Sequence, residues 1–204
     1  SGIELRAPDD VVEGDTTLDL DGVRVDLLYV GPAHTEGDLV VHVPDEGVVF
    51  AGDVFFHRCT PIGWEGSTDR WIAALERIEA LEPAWVVPGH GPVCGVDGVR
   101  EMREYLEYVQ REARVHWQAG RTPLDAATRI ELGPYATWTD PSRLAADPEK
   151  AGRFPELPYL TVRLGYMACA YFKADTGLAL VRAEHQAFYR RVFLQEAIAE
   201  PRPI

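Results

Sequence analysis

The chain has 204 residues, 46% of them hydrophobic, which suits one domain with a sizeable core or one domain with an appendage. Its 33 acidic and 20 basic side chains leave a formal net charge of −13. A surface this acidic repels nucleic-acid phosphates and anionic lipids, so we expect neither nucleic acid nor a membrane as a partner. Three cysteines without a C-x-x-C pair argue against a disulfide framework and favour the cytoplasm.

The first half of the sequence predicts two β-hairpins, then a helix, a strand and a second helix. Residues 17–20 and 23–30 flank an Asp-Gly turn, and residues 39–43 and 48–51 flank a Pro-Asp-Glu-Gly turn. Apolar residues at a period of 3.6 predict a helix over residues 68–81. Residues 85–87 predict a buried strand, and residues 96–119 an amphipathic helix closed by Gly120. We therefore expect a sheet with helices on its outer face.

The second half of the chain has a different composition. The stretch "TPLDAATRIEL" predicts a short helix, and residues 133–158 are rich in Pro, Asp and Gly, as in an irregular connection. The tail beyond predicts two helices around a break at Gly177. We expect a first domain over residues 1–132, and an irregular connection with a helical appendage over residues 133–204.

Three metal-capable side chains follow predicted strands, each in a short segment that contains glycine. They are His34 in "GPAHTEGD", Asp53 in "AGD" and His90 in "VVPGHGP". Loops that leave strand ends on one edge of a sheet can converge, and imidazole with carboxylate suits zinc, and also iron or manganese. Each residue taken alone is more often an ordinary turn or surface residue. Three such loops in one half of the chain favour a shared metal site.

The segments "AHTEGDLVVHVPDEGVVFAGDVFF" and "VVPGHGP" resemble motifs of the metallo-β-lactamase superfamily of metal-dependent hydrolases. The resemblance covers about residues 15–119 and includes the intervening helix. It implies an α+β fold, the αββα sandwich. This chain would hold the carboxy-terminal portion of that sandwich, one sheet with outer helices, followed by a helical tail.

The same resemblance implies roles for particular residues. His34 would bind a first metal ion, Asp53 would bridge two metals and act in catalysis, and His90 would bind the second. Up to two zinc ions would serve hydrolysis of a small ester, thioester, lactone or related substrate.

Three further residues are weaker candidates. Asp38 would support the loop of His34 by hydrogen bonding. His57 and Trp64 either line a substrate pocket or belong to an ordinary loop.

The sequence departs from the superfamily at its first motif, H-x-H-x-D-H. None of the six histidines lie two positions apart, so this motif is absent. We expect that an amino-terminal half is cleaved, separately encoded or not part of the given chain. Alternatively, the protein pairs with a copy of itself. The expected partner is thus a separate amino-terminal fragment or a homo-oligomer. A rival interpretation is a non-catalytic remnant, a binding or structural module with an incomplete metal site.

Overall fold

The computed structural model describes residues 10–62, 68–121 and 123–139. Their regular elements form an α+β fold, which confirms the predicted fold class. The strands are β1 Thr16–Leu20, β2 Val23–Tyr29, β3 Leu39–Val43, β4 Val48–Phe56 and β5 Trp85–His90. The helices are α1 Thr68–Glu79, α2 Val96–Gln118 and α3 Pro123–Arg129, with 3-10 turns at Pro44–Glu46 and Gly133–Thr137.

The five strands form one mixed sheet in the order β1-β2-β3-β4-β5. Strands β1 to β4 are antiparallel neighbours joined in chain order, whereas β4 and β5 are parallel and α1 connects them. Strand β2 therefore runs in the same direction as β4 and β5. The carboxyl ends of these three strands lie at one edge of the sheet, and this edge carries the candidate site.

One face of the sheet packs against α1 and α2, and we call it the helix-covered face. Val40, Val49 and Val86 come from this face and are fully buried. They join one core cluster with the apolar stripes of the two helices, which include Leu75 and Leu106. The period of 3.6 in both helix sequences explains this packing, because it places the apolar side chains on a single stripe.

The helix-covered face also holds a buried polar group near its β1 edge. Asp26 and His42 are cross-strand partners, and Asp26 accepts hydrogen bonds from Thr17 Oγ1 at 2.7 Å and Arg24 Nε at 3.0 Å. The Arg24 hydrogen bond, followed by that of Thr17, holds the pKa of Asp26 below its usual value. This carboxylate is therefore ionised at neutral pH and paired with Arg24.

The end of the described chain folds back onto the same core. Ala126 and Ala127 of α3, with Ile130 and Trp138 beyond it, belong to the core cluster. The predicted tail helices lie outside the described residues, and the boundary after residue 132 stays a prediction. Within the described residues, no helix is long and apolar enough to cross a membrane.

Candidate metal centre

The three metal-capable residues meet at the edge where β2, β4 and β5 end. His34 lies in the loop after β2, Asp53 lies in β4, and His90 is the last residue of β5. The sequence predicted that β4 ends before Asp53, but the strand continues to Phe56. Pairing with β5 resumes at Phe56 and His90 after register irregularities around Gly52, which explains the longer strand.

The carboxylate of Asp53 lies between the two imidazole rings. His34 Nε2 is 3.7 Å from Asp53 Oδ2, and His90 Nε2 is 3.3 Å from Asp53 Oδ1. Two ligands at about 2.0–2.1 Å from a tetrahedral zinc ion stand about 3.3–3.5 Å apart. The donor types suit zinc, the His90–Asp53 separation of 3.3 Å lies in this range, and the His34–Asp53 separation of 3.7 Å is slightly longer.

The trio does not by itself form a group that could hold a metal ion. Across residues 10–62, 68–121 and 123–139, no three His, Cys, Asp or Glu side chains are grouped closely enough to hold a metal ion. The side chains of Asp53 and His90 are 45% and 48% exposed, whereas that of His34 is 9% exposed. Among the described residues, the trio is therefore open to solvent on the side of Asp53 and His90. The metal-binding roles of the three residues stay predictions.

Aromatic rings position both histidines. The ring of His34 lies edge-on to Trp71 at 5.6 Å between centroids, and His90 stacks on Phe56 at 4.7 Å and 13°. Trp71 is itself fixed, because its Nε1 donates to the carbonyl of Val54 at 2.7 Å. The sequence pattern predicted Trp71 only as a helix core residue and did not single out Phe56. The apolar run "VFF" directly after Asp53 was the available signal.

The other ring nitrogen of His34, Nδ1, is buried and has no hydrogen-bond partner among the described residues. A metal-bound histidine normally donates this N–H to a carboxylate, a carbonyl or water. Leaving such a group unpaired costs about 1–3 kcal/mol. Among the described residues, His34 Nδ1 therefore lacks the partner that a metal-bound histidine normally has.

Two glycines allow the backbone to approach the site closely. A Cβ atom on Gly89 would lie 2.1 Å from Asp53 Oδ1 and 2.7 Å from the Gly52 carbonyl carbon. Gly91 has a φ of +92°, and a Cβ atom there would lie 2.0 Å from the His57 carbonyl oxygen. Only glycine fits these positions without a shift of the backbone around Asp53 and His90.

Asp38 closes the loop that carries His34. Its Oδ2 accepts the backbone N–H of Thr35 at 2.9 Å, and its Oδ1 accepts the Thr35 hydroxyl at 2.6 Å. Its backbone carbonyl accepts the N–H groups of Val30 and Gly31. These bonds hold the residue next to His34, and a supporting role in metal binding stays a prediction.

Of the two residues predicted to line a pocket, the structure describes only His57. His57 lies beside the site: its backbone N–H donates to the His90 carbonyl at 2.9 Å, and its ring stacks on Phe55. Its Nδ1 lies 2.8 Å from the carbonyl oxygen of Pro92, which can only accept, so Nδ1 carries the proton. Trp64 lies outside the described residues. A pocket role for either residue stays a prediction.

A sheet edge that brings two imidazoles to one carboxylate offers the donor types that bind zinc. Residues 1–90, less than half of the chain, match the family model of the metallo-beta-lactamase superfamily. Residues 115–204 match a second family model, N-acyl amino acid synthase FeeM, which the sequence analysis did not predict. The start of this second match, through α3, packs into the core of the sheet described above.

Three similar proteins illustrate the relationship. Metallo-beta-lactamase type 2 of Bacteroides fragilis is 27% identical over 116 residues, 54% of this chain and 47% of that protein. Hydroxyacylglutathione hydrolase of Erythrobacter litoralis is 32% identical over 80 residues, 39% of this chain and 32% of that protein. A solved metallo-beta-lactamase family protein from Thermus thermophilus shares the fold, with a TM-score of 0.58 and 14% identity, over 80% of this chain and 49% of that one.

The chain spans less than half the length of the curated relatives it matches. The relatives include hydrolases, and the activity of a whole protein of this kind comes to this chain only as a proposal.

Proposed function

We propose that this chain is the later part of a metal-dependent hydrolase, in which His34, Asp53 and His90 bind the metal. The observation that carries the proposal is the Asp53 carboxylate, whose two oxygens face the Nε2 atoms of the two histidines at 3.7 and 3.3 Å. Zinc suits this donor set, in up to two sites, and iron or manganese also suits it.

Each residue has a distinct part in the proposed chemistry. A bound metal supplies Lewis-acid activation of water and of a substrate oxygen. Asp53 would hold the metal through its carboxylate and would supply negative charge that offsets the charge of the metal. His34 is held by the Trp71 ring and buried, so its lone pair keeps one direction. His90 and Asp53 are half-exposed, so substrate reaches the site from their side.

The proposed substrate is a small ester, thioester, lactone or related molecule. One similar protein is a metallo-beta-lactamase and another is a hydroxyacylglutathione hydrolase. We infer that proteins of this kind act on different acyl substrates. Fold and site do not select among these substrates, because one fold supports many different activities. The cytoplasm is the proposed location, on the cysteine pattern given above.

Three side chains cannot fill the ligand shells of two metal ions. We propose that the remaining ligands come from a second polypeptide, either a separate amino-terminal fragment or another copy of this chain. The absence of an H-x-H motif from the sequence and the open side of the site support this. The rival function is a non-catalytic remnant, a binding or structural module that holds no metal under physiological conditions.

The purified chain, shown by mass to be free of other polypeptides, should bind at most one zinc ion weakly and should hydrolyse model substrates far below about 1 s⁻¹, the lower end of ordinary enzyme turnover. Three ligands leave the shell unfinished, so both binding and activation of water are poor. Zinc content measured by mass spectrometry, with turnover of p-nitrophenyl acetate, a thioester and a lactone, would test this.

Two histidine variants make this test specific. His90→Ala should abolish the weak zinc binding, whereas His116→Ala should not change it, since His116 lies near the far end of the 23-residue helix α2. Turnover at ordinary enzyme rates by the lone chain would contradict the incomplete site. No zinc binding even in excess metal would favour the non-catalytic rival.

A second candidate function rests on the match of residues 115–204 to an N-acyl amino acid synthase. We propose that this part of the chain contributes to acyl transfer onto the amino group of an amino acid, independently of the metal site. Cells that express the chain should accumulate N-acyl amino acids, detected by mass spectrometry, and those with the Asp53→Asn variant should accumulate them equally. No product above an empty-vector control would reject this activity.

A further inference from the structure

His57 contacts the loop that carries His90 through both its backbone and its ring. Its backbone N–H donates to the carbonyl of His90 at 2.9 Å. Its backbone carbonyl lies so close to Gly91 that a Cβ atom there would be 2.0 Å from the oxygen. Its ring Nδ1 donates to the carbonyl of Pro92 at 2.8 Å. One residue therefore holds three consecutive residues of the loop.

The base of this loop is fixed by two backbone hydrogen bonds. The N–H of Val86 donates to the carbonyl of Cys94 at 2.7 Å, and the N–H of Cys94 donates back to Val86 at 3.1 Å. These bonds close the loop but do not reach the residues between β5 and Cys94. The hydrogen bonds from His57 to His90 and Pro92 supply contacts in that interval.

His57 also belongs to the segment that presents Asp53. Phe56, the residue before it, pairs with His90 in the parallel ladder and stacks on its ring at 4.7 Å between centroids. The segment with the Asp53 carboxylate therefore holds both the ring and the backbone of His90. The 3.3 Å between Asp53 Oδ1 and His90 Nε2 is set by one continuous piece of chain.

The ring of His57 is held away from Asp53. Its Nδ1 proton is used by Pro92. A Cβ atom on Gly98 would lie 3.1 Å from His57 Nε2, so this nitrogen lies against the first turn of α2. The ring stacks on the buried Phe55 at 5.9 Å and 24°. These contacts suit a residue that positions a neighbour and not a metal ligand.

The backbone directly after His57 has a conformation that side chains disfavour. Arg58 has a φ of +52°. Its carbonyl accepts the N–H of Thr139 at 2.9 Å, and its Nε lies 3.3 Å from a carboxylate oxygen of Glu101. Backbone strain of this kind persists only where surrounding contacts impose it. The strained turn therefore fixes the backbone at the point where His57 meets the loop of His90.

We propose that His57 is a positioning residue that keeps the His90 imidazole beside the Asp53 carboxylate. It acts through its Nδ1 hydrogen bond to Pro92, together with its backbone bond to His90. The inference rests on the proposed function, in which His90 binds the metal. Groups that orient a metal-binding side chain in this way need not touch the metal or the substrate.

The NMR signals of the His90 ring protons in the metal-free chain test the positioning. The stacked ring of Phe56 shifts these protons upfield, and His90→Ala identifies them by their loss. Spectra at a single pH of about 8 keep the imidazoles neutral. His57→Leu keeps bulk against Phe55 but donates no hydrogen bond, so the signals should move toward those of an unfolded chain. Zinc affinity should fall by about 10–100-fold.

Two amide variants separate the hydrogen bond from the rest of the ring. In His57→Asn the amide nitrogen is bonded to the same side-chain carbon as Nδ1, so it should donate to Pro92 and keep both the signals and the zinc affinity. In His57→Gln the amide stands one carbon further out, so this variant should behave like His57→Leu. The comparison of Asn with Gln decides the question even if the leucine variant does not fold. His116→Leu, near the far end of α2, is the control and should change neither measurement.

A merely structural role for His57 would lower the free energy of unfolding but leave the His90 signals of the folded chain in place, and this result would overturn the proposal. Equal losses in His57→Asn and His57→Gln would also overturn it, because the bond to Pro92 would then not position His90. If the unchanged chain binds no zinc, the His90 signals still decide the positioning role, and only the proposed function fails.

Discussion

Replacing Asp53 by asparagine should lower zinc affinity by more than about 100-fold, because loss of a supporting group alone costs about 10–100-fold. Each carboxylate oxygen faces one imidazole, so the change removes the negative charge from both sides of the site. The amide has nearly the same shape and leaves β4 intact. Competition with a chromophoric chelator would measure the affinity.

Asp97→Asn is the matched control for this experiment. The Asp97 side chain is 90% exposed in the first turn of α2, where it pairs with Arg100. It makes the same change of charge without touching the site, so zinc affinity should stay within about twofold of the unchanged chain. If Asp53→Asn binds zinc as tightly as Asp97→Asn does, Asp53 is not a ligand and the proposed hydrolase is wrong.

Replacing Gly89 by alanine should destabilise the fold by about 1–3 kcal/mol, the usual cost of overpacking. It should also weaken zinc binding, since the new methyl would meet Asp53 Oδ1 and the backbone of Gly52. Either the carboxylate moves from between the imidazoles or strands β4 and β5 separate. Urea unfolding in the absence of metal would measure the first effect and chelator competition the second.

Gly37→Ala is the control, because a Cβ atom there would meet no heavy atom within 4 Å. Both its stability and its zinc affinity should equal those of the unchanged chain. Should Gly89→Ala unfold at the same urea concentration as Gly37→Ala, the close approach of Gly89 to Asp53 would not exist in solution. A loss of stability with unchanged zinc affinity would show instead that Asp53 does not bind the zinc ion.

Much of the fold could be predicted from short-range patterns. The Asp-Gly turn places Asp21 and Gly22 in left-handed conformations, so the first hairpin is specified by two residues. The apolar stripe of α1 is specified by spacing alone. The length of β4 was not predictable, because residues beyond Ala51 pair with β5, a strand more than 30 residues further along the chain.

The candidate site, like the fold, could be predicted only in part from the sequence. The residue types and their glycine neighbours indicated metal chemistry, and they named His34, Asp53 and His90. The carboxylate's position between two rings, the stacking on Phe56 and the exposed side of the site depend on which strand lies beside which. Long-range pairing of this kind has no local sequence signal.

The sequence by itself determined which side chains can bind a metal, which strands form hairpins and which faces of α1 and α2 are apolar. These properties depend on residue type and on periods of two or 3.6, which are local. Only the tertiary structure decided that β2, β4 and β5 end at one edge, since strand direction depends on the parallel pairing of β4 with β5 across α1. The same pairing brings both long described helices, α1 and α2, onto one face of the sheet, because each of them follows a strand of the parallel pair.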